Sequence, residues 1–214
     1  MRGIMMMALV LAALIAAPAR ADGEKAGAFA YYVLSLSWSP NWCALEGDAR
    51  ADDQCDSRHD YSFTLHGLWP QFDVGYPSYC RSGVRDPSRA ETDAMADITG
   101  SGGLAWYEWK KHGRCAGMEA KAYFATARQA YEKLEIPQVF QKLRRDVTLP
   151  AAVVEQAFLE ANPSLDANMI TITCDQGYIQ EVRICLTKAL EFRPCGVDVA
   201  RDCRMEAAVM TAIR

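Results

Sequence analysis

The hydrophobic pattern changes period along the chain, and each change marks an element. The stretch "FAYYVLSLSW" (29–38) is rich in β-formers and ends in alternation, with Val33, Ser35 and Ser37 against Leu34, Leu36 and Trp38. It predicts a central strand. Residues 61–68 predict a second strand, in which Ser62, Thr64 and His66 share one face while Phe63, Leu65 and Leu68 serve the core. Trp69-Pro70 predicts its end. Residues 169–174 and 178–186 predict two late strands joined by the turn signal "DQG". Helical spacing is clearest over 118–134, where Ala120, Tyr123, Phe124, Ala127, Ala130, Tyr131 and Leu134 form one stripe, read as core packing. Shorter helices are predicted at 88–98 and 137–144. Another covers 105–112 and stops at Gly113. A last one runs from an N-cap at Thr148, through Pro150, to about residue 161. The stretches 39–60 and 71–90 read as loops, "GSGG" at 100–103 as a flexible break, and the C-terminus as a tail held by cysteines. With no repeat or splitting linker and strands unevenly separated by helices, the expected class is α+β: one domain, a central antiparallel β-sheet flanked by helices.

The first 21 residues fall outside this pattern. Arg2 precedes an uncharged apolar run, and Ala19-Arg20-Ala21 is a small-x-small cleavage site. Residues 1–21 therefore read as a secretory signal peptide and residues 22–214 as the mature domain. The run is short for a membrane span, so the expected product is exported, periplasmic or extracellular, and not held in a membrane. Without Arg2 and Arg20 the mature chain has 21 basic and 27 acidic residues, a net charge of −6. Such a chain has no whole-surface attraction for nucleic acid, and a polyanion would have to meet a local cationic site. All eight cysteines lie in the mature part, which predicts four disulfides in an exported chain. Eight cysteines allow ~105 pairings, so spacing leaves the connectivity open. No C-x-x-C pair occurs and there are three histidines, so neither a metal nor a redox cofactor is expected.

Two segments carry candidate chemistry. "FTLHGLWPQ" (63–71) holds His66 at the end of a strand before Gly67. Two readings compete: a group on display, or a core histidine beside a turn. The alternation favours display. In "WYEWKKHGRC" (106–115), a helix would put Glu108, Lys111 and His112 on one face. A solvated charged face with an i,i+3 salt bridge has the same spacing. The flanking Trp106 and Trp109 and the nearby Cys115 argue instead for a dry, pinned cluster. Two histidines on separate elements suit a general acid and a general base, and a lysine beside them can neutralise charge that grows in a transition state. RNA cleavage through the ribose 2′-hydroxyl needs this set. DNA lacks that hydroxyl and is not expected to react.

"FTLHGLWP" and "EWKKHG", in this order, resemble the two active-site boxes of the ribonuclease T2 family, secreted endoribonucleases of an α+β, disulfide-stabilised fold. The resemblance implies His112 as general base, His66 as general acid, and Glu108 and Lys111 as stabilisers of the pentacovalent intermediate. It implies single-stranded RNA as the partner of a monomeric protein, with no cofactor, and Trp69 as a stacking face for a base. Gly67 is expected to leave room for the substrate. Two positions depart from the family pattern. Tyr107 stands where many members have a phosphate-holding histidine, so it is kept as a substrate-binding position with weaker phosphate binding. Gln71 stands where some relatives have an acidic base-pocket residue, which leaves the base preference open. The resemblance also implies the pairs Cys80–Cys115, Cys174–Cys203 and Cys185–Cys195, with Cys43–Cys55 left as a local pair. His59 belongs to neither box and reads as an exposed loop residue. The competing functions are a non-catalytic exported protein of the same fold that binds RNA or another partner, and a disulfide-rich structural or inhibitor protein.

Overall fold

The computed structural model describes residues 23–214, so the segment read as a signal peptide lies outside the described residues. Strand β1 (Tyr31–Trp38) runs into a short helix α1 (Ser39–Trp42), and strand β2 (Phe63–Gln71) follows. Helices α2 (Arg89–Asp93), α3 (Ala96–Thr99), α4 (Gly102–Lys111), α5 (Ala120–Lys133) and α6 (Gln138–Gln141) come next. The chain then forms β3 (Val147–Leu149), α7 (Ala151–Ala161), β4 (Ile170–Asp175), β5 (Tyr178–Leu186) and β6 (Ala208–Met210). The strands make one six-stranded sheet in the order β2-β1-β5-β6-β3, with β4 paired to β5. All pairings are antiparallel except the single β5–β6 contact at Tyr178 and Val209. This is the expected α+β fold.

The sheet has two unlike faces because its strands alternate. Leu34, Leu36 and Trp38 of β1, Phe63 and Leu65 of β2, and Val182 and Ile184 of β5 are almost fully buried in one cluster. They pack against Tyr123, Phe124, Ala127 and Ala130 of α5, Val154 and Phe158 of α7, and Trp109 of α4. The 118–134 stripe is thus core, as its spacing predicted. The opposite face is smaller and more polar: Tyr31, Val33, Cys185 and Val199 make a second apolar cluster, beside Ser35, Glu181 and Arg183.

Several boundaries move, each for a physical reason. β2 continues through Trp69-Pro70 instead of stopping there. It is the edge strand, where a proline's missing N–H costs no ladder bond, and Pro70 sits opposite Tyr32. The segment 88–98 forms two helices, the first closed by a capping box between Ser88 and Glu91. Thr148 lies in β3 and does not cap α7, because β3 pairs with β6, a strand formed by the segment expected to be a tail. "GSGG" is not a break. Gly100 ends α3 at φ 85°, Ser101 caps α4, and Gly102 and Gly103 form the first turn of α4. The "DQG" hairpin forms as expected, with Gln176 and Gly177 both at positive φ. All four disulfides pair as the family resemblance implies: Cys43–Cys55, Cys80–Cys115, Cys174–Cys203 and Cys185–Cys195.

Candidate active site

β2 keeps its alternation up to His66 and breaks it there. Ser35 of β1 pairs with Gly67, yet the next residue, Leu36, pairs with Leu65. His66 is therefore the extra residue of a β-bulge, a feature that bends a strand and re-aims a side chain. The bulge also changes parity. Phe63 and Leu65 face the core before it and Leu68 after it. His66 and Trp69, three residues apart, then both reach the cleft, with ring centroids 5.1 Å apart. Strict alternation would put them on opposite faces.

Gly67 has a different neighbour from the one expected. A Cβ there would lie 2.3 Å from Glu108 Oε2 and 2.4 Å from Trp69 Nε1. The space beside it is filled by those two side chains, not reserved for substrate.

α4 supplies the other half of the site. The Ser101 hydroxyl accepts the Leu104 N–H at 3.2 Å and starts the helix. Trp109 turns into the core, fully buried, and donates its indole N–H to Asp86 Oδ1 at 2.8 Å. With that side anchored, Glu108, Lys111 and His112 turn to the cleft. His112 lies just past the last turn, its N–H still bonded to the Glu108 carbonyl at 2.8 Å. The Cys80–Cys115 disulfide and a Tyr79 N–H to Lys111 carbonyl bond of 2.8 Å tie the loop after β2 to this helix end. The loop carries Tyr76, whose ring centroid is 5.7 Å from that of His112. Replacing Ser101 by Ala removes the cap and should lower stability by about 1 kcal/mol, read as a shifted denaturant midpoint with an unchanged slope.

His66, Trp69, Gln71, Tyr107, Glu108, Lys111 and His112 all line one cleft of about 460 Å³. His59 is elsewhere, exposed and stacked on Tyr61 at 5.0 Å. Among the lining residues that sequence reasoning missed are four with ionisable side chains: Tyr76, Glu181, Arg183 and Asp198. For Glu181 and Arg183 a signal existed. They stand at alternate positions of "YIQEVRICL", an interior strand in which charges survive only when paired.

Charges in the cleft are arranged in chains. His66 Nδ1 contacts Glu181 Oε1, and His66 Nε2 lies 3.6 Å from Glu108 Oε1. Arg183 donates from Nε at 2.8 Å and from Nη2 at 2.6 Å to the other oxygen of Glu181. Its guanidinium carbon lies 5.3 Å from the Trp69 ring centroid. Trp69 donates its N–H to Glu108 Oε2 at 2.5 Å and has the His112 ring 5.2 Å away, tilted by 30°.

These neighbours push the two histidines in opposite directions. Burial opposes the charge on His66, but the carboxylates of Glu181 and then Glu108 outweigh it, and its pKa rises above the ordinary histidine value. Burial is also the largest influence on His112, and there Lys111 and His66 act in the same direction, lowering it to about 3. The His112 Nδ1 is buried with no hydrogen-bond partner among the described residues. Burial raises the Glu108 carboxyl despite His66, the Trp69 bond and Lys111. Burial alone would also raise Glu181, but His66 and Arg183 prevail and hold it at about 2. Burial disfavours the Lys111 ammonium, yet Tyr107, Tyr76 and Glu108 shift its pKa upward overall, and it remains a cation.

By fold and site the chain falls in the class of disulfide-stapled α+β domains with two histidines and a lysine lining one cleft. The chain belongs to the ribonuclease T2 family, whose sequence model matches residues 29–195. It is 37% identical over 134 residues to a ribonuclease of Aeromonas hydrophila, covering 63% of this chain and 59% of the relative. It is 31% identical over 128 residues to a probable ribonuclease of Haemophilus influenzae, covering 54% of this chain and 46% of that one. These matches thus span only part of each relative's length. Among solved structures, an RNase-related protein from Calystegia sepium superposes with a TM-score of 0.70 at 20% identity, covering 87% of this chain and 98% of that one. That likeness concerns the fold.

Proposed function

We propose that this chain is an endoribonuclease that cleaves single-stranded RNA by transphosphorylation, leaving 2′,3′-cyclic phosphate ends. The observation that carries this reading is the opposite setting of two histidines in one cleft: His66 lies between the carboxylates of Glu181 and Glu108, which favour its charge, and His112 is buried near Lys111, which disfavours charge there. In the proposed reaction His112 takes the proton of the ribose 2′-hydroxyl. The 2′-oxygen attacks the adjacent phosphorus as the bond to the 5′-oxygen breaks. His66 gives its proton to that departing oxygen. Lys111 and Glu108 flank the pentacovalent phosphorus, the ammonium offsetting its growing charge. Trp69, bonded to Glu108 and flanked by His112 and Arg183, supports the position of Glu108 in addition to any stacking on a base. Tyr107, 42% exposed with Lys111 Nζ 5.7 Å from its ring centroid, is kept as a substrate contact.

Export is part of the same proposal. It rests on the sequence of residues 1–21 and is supported by four disulfides, which persist in oxidising compartments. Among the described residues no helix is long and apolar enough to cross a membrane.

The direct test is digestion of single-stranded RNA by residues 22–214 in excess EDTA, with end-group analysis. Fragments with 2′,3′-cyclic ends, and an intact DNA control of the same sequence, are expected. RNA left uncut from mild acid to mild alkali would refute the reading and favour a binding protein of the same fold.

A further inference from the structure

We propose that Glu181 is the positioning residue of the proton donor: it accepts the Nδ1–H of His66, so that Nε2–H is the proton presented to the cleft, and it is itself held by Arg183. The inference rests on His66 acting as the acid. It adds a residue from β5, far from both boxes in sequence.

Geometry carries it. Glu181 has a side-chain exposure of 2% and touches His66 Nδ1 with one oxygen. Its second oxygen takes two N–H bonds from Arg183, at 2.6 and 2.8 Å. An ionised carboxylate can only accept, so Nδ1 must carry a hydrogen, and a neutral His66 has its lone pair at Nε2. Protonation therefore occurs at Nε2, the nitrogen on the side of Glu108, 3.6 Å away. Arg183 lets Glu181 stay charged in a place where a lone carboxylate would take up a proton. The strand register supports the arrangement. Glu181 pairs with Ser37 and Arg183 with Ser35 on β1, and Ser35 pairs with Gly67 on β2. The carboxylate and the bulged histidine are thus brought together across one intervening strand.

The groups that set the charge of His66 come from every side. Glu181 and Arg183 approach from β5, Glu108 from α4, and His112 and Lys111 line the same cleft. Glu108 favours the charged ring, as Glu181 does, while Arg183 opposes it. Loss of Glu181 should therefore lower the titration midpoint of His66 without abolishing its charge.

The test uses leaving groups. A general acid matters for a poor leaving group, such as the 5′-oxygen of a dinucleotide, and hardly for a good one, such as p-nitrophenolate on a nucleoside 3′-phosphate. Glu181→Gln, nearly isosteric, should reduce kcat on the dinucleotide by roughly tenfold to a hundredfold, part of the ~10²–10⁴ a positioned acid supplies. It should leave the aryl ester nearly unchanged. NMR of the His66 ring should report a lower titration midpoint, and the alkaline limb of the dinucleotide pH–rate profile should move down with it. An equal loss on both substrates, or an unmoved His66 midpoint, overturns the proposal. His66→Ala, run in parallel, separates the two layers. If His66→Ala shows the selective loss and Glu181→Gln does not, His66 is the acid and the role of Glu181 is refuted. If His66→Ala loses neither substrate, the acid assignment fails and this inference with it. Glu181→Asp keeps the charge but withdraws the carboxylate from Nδ1, and covers the case in which Glu181→Gln does not fold. An intermediate midpoint and an intermediate, leaving-group-selective loss are expected, and wild-type values for both would overturn the proposal.

Discussion

Replacing His112 by Ala should cost on the order of 10²–10⁴ in turnover of single-stranded RNA while leaving the fold intact. The loss is expected because His112 is set to remain neutral: it is 4% exposed, and burial with its cationic neighbours lowers its pKa to about 3. The fold should tolerate the change because the ring contributes a buried nitrogen with no partner among the described residues, so its removal forfeits packing but relieves an unsatisfied polar atom. A control at His59, exposed and not among the cleft's lining residues, should match the parent. The pH dependence gives a second readout. The base must be deprotonated, so kcat/KM should rise with pH through a value near 3. The acid must be protonated, so kcat/KM should fall only above the ordinary histidine range of ~6.5, because the pKa of His66 is raised. In His112→Ala the acid limb should disappear and the alkaline limb remain. A variant with parental turnover, or one that lost the alkaline limb instead, would reverse the assignment of base and acid.

That pair of histidines was legible in the sequence, and for definable reasons. Glu108, Lys111 and His112 needed only one assumption, a helix, because i, i+3 and i+4 positions share a face whatever packs around it. α4 runs through Lys111, and His112 still closes a helical bond to the Glu108 carbonyl. His66 needed only strand alternation up to its own position. The hairpin between β4 and β5 and the stripe of α5 were equally local.

What was not legible depends on events outside the local window. The bulge at His66 is created by register with β1, and nothing in "FTLHGLWPQ" marks it except Gly67. Its effect on Trp69 is therefore invisible to alternation. The pairing of β3 with β6 joins segments more than fifty residues apart. It turned a presumed N-cap into a strand residue, just as strand pairing overrides local preference elsewhere. Glu181 shows the limit most clearly. Its alternation with Arg183 hinted at a paired charge, but its partner across the sheet is His66, 115 positions away. A charge pattern in one strand does not say which ring it faces.

Replacing Gly67 by Ala should lower turnover by about 10², the scale of loss when a catalytic group is displaced by about an ångström, and should destabilise the fold by roughly 1–3 kcal/mol through overpacking. The reason is not backbone freedom: Gly67 is not among the glycines at positive φ, so alanine can adopt its conformation. The reason is the methyl group. It would meet Glu108 Oε2 at 2.3 Å, Trp69 Nε1 at 2.4 Å and Trp69 Cδ1 at 2.9 Å, distances at which something must move. Glu108 is nearly buried and bonded to that same indole, and the indole is flanked by His112 and by Arg183, which holds Glu181. The displacement therefore falls on Glu108, proposed to flank the phosphorus, and on the indole that lies between His66 and His112. Both losses should appear together, as a lower kcat and a lower denaturant midpoint. The acid limb of the pH profile should stay in place, because burial and Lys111, which dominate at His112, are untouched. A Gly67→Ala protein that bound RNA more weakly but turned it over at the parental rate would mean that the space beside Gly67 serves the substrate after all. Retained binding with lost turnover would mean that it serves the Glu108–Trp69 contact.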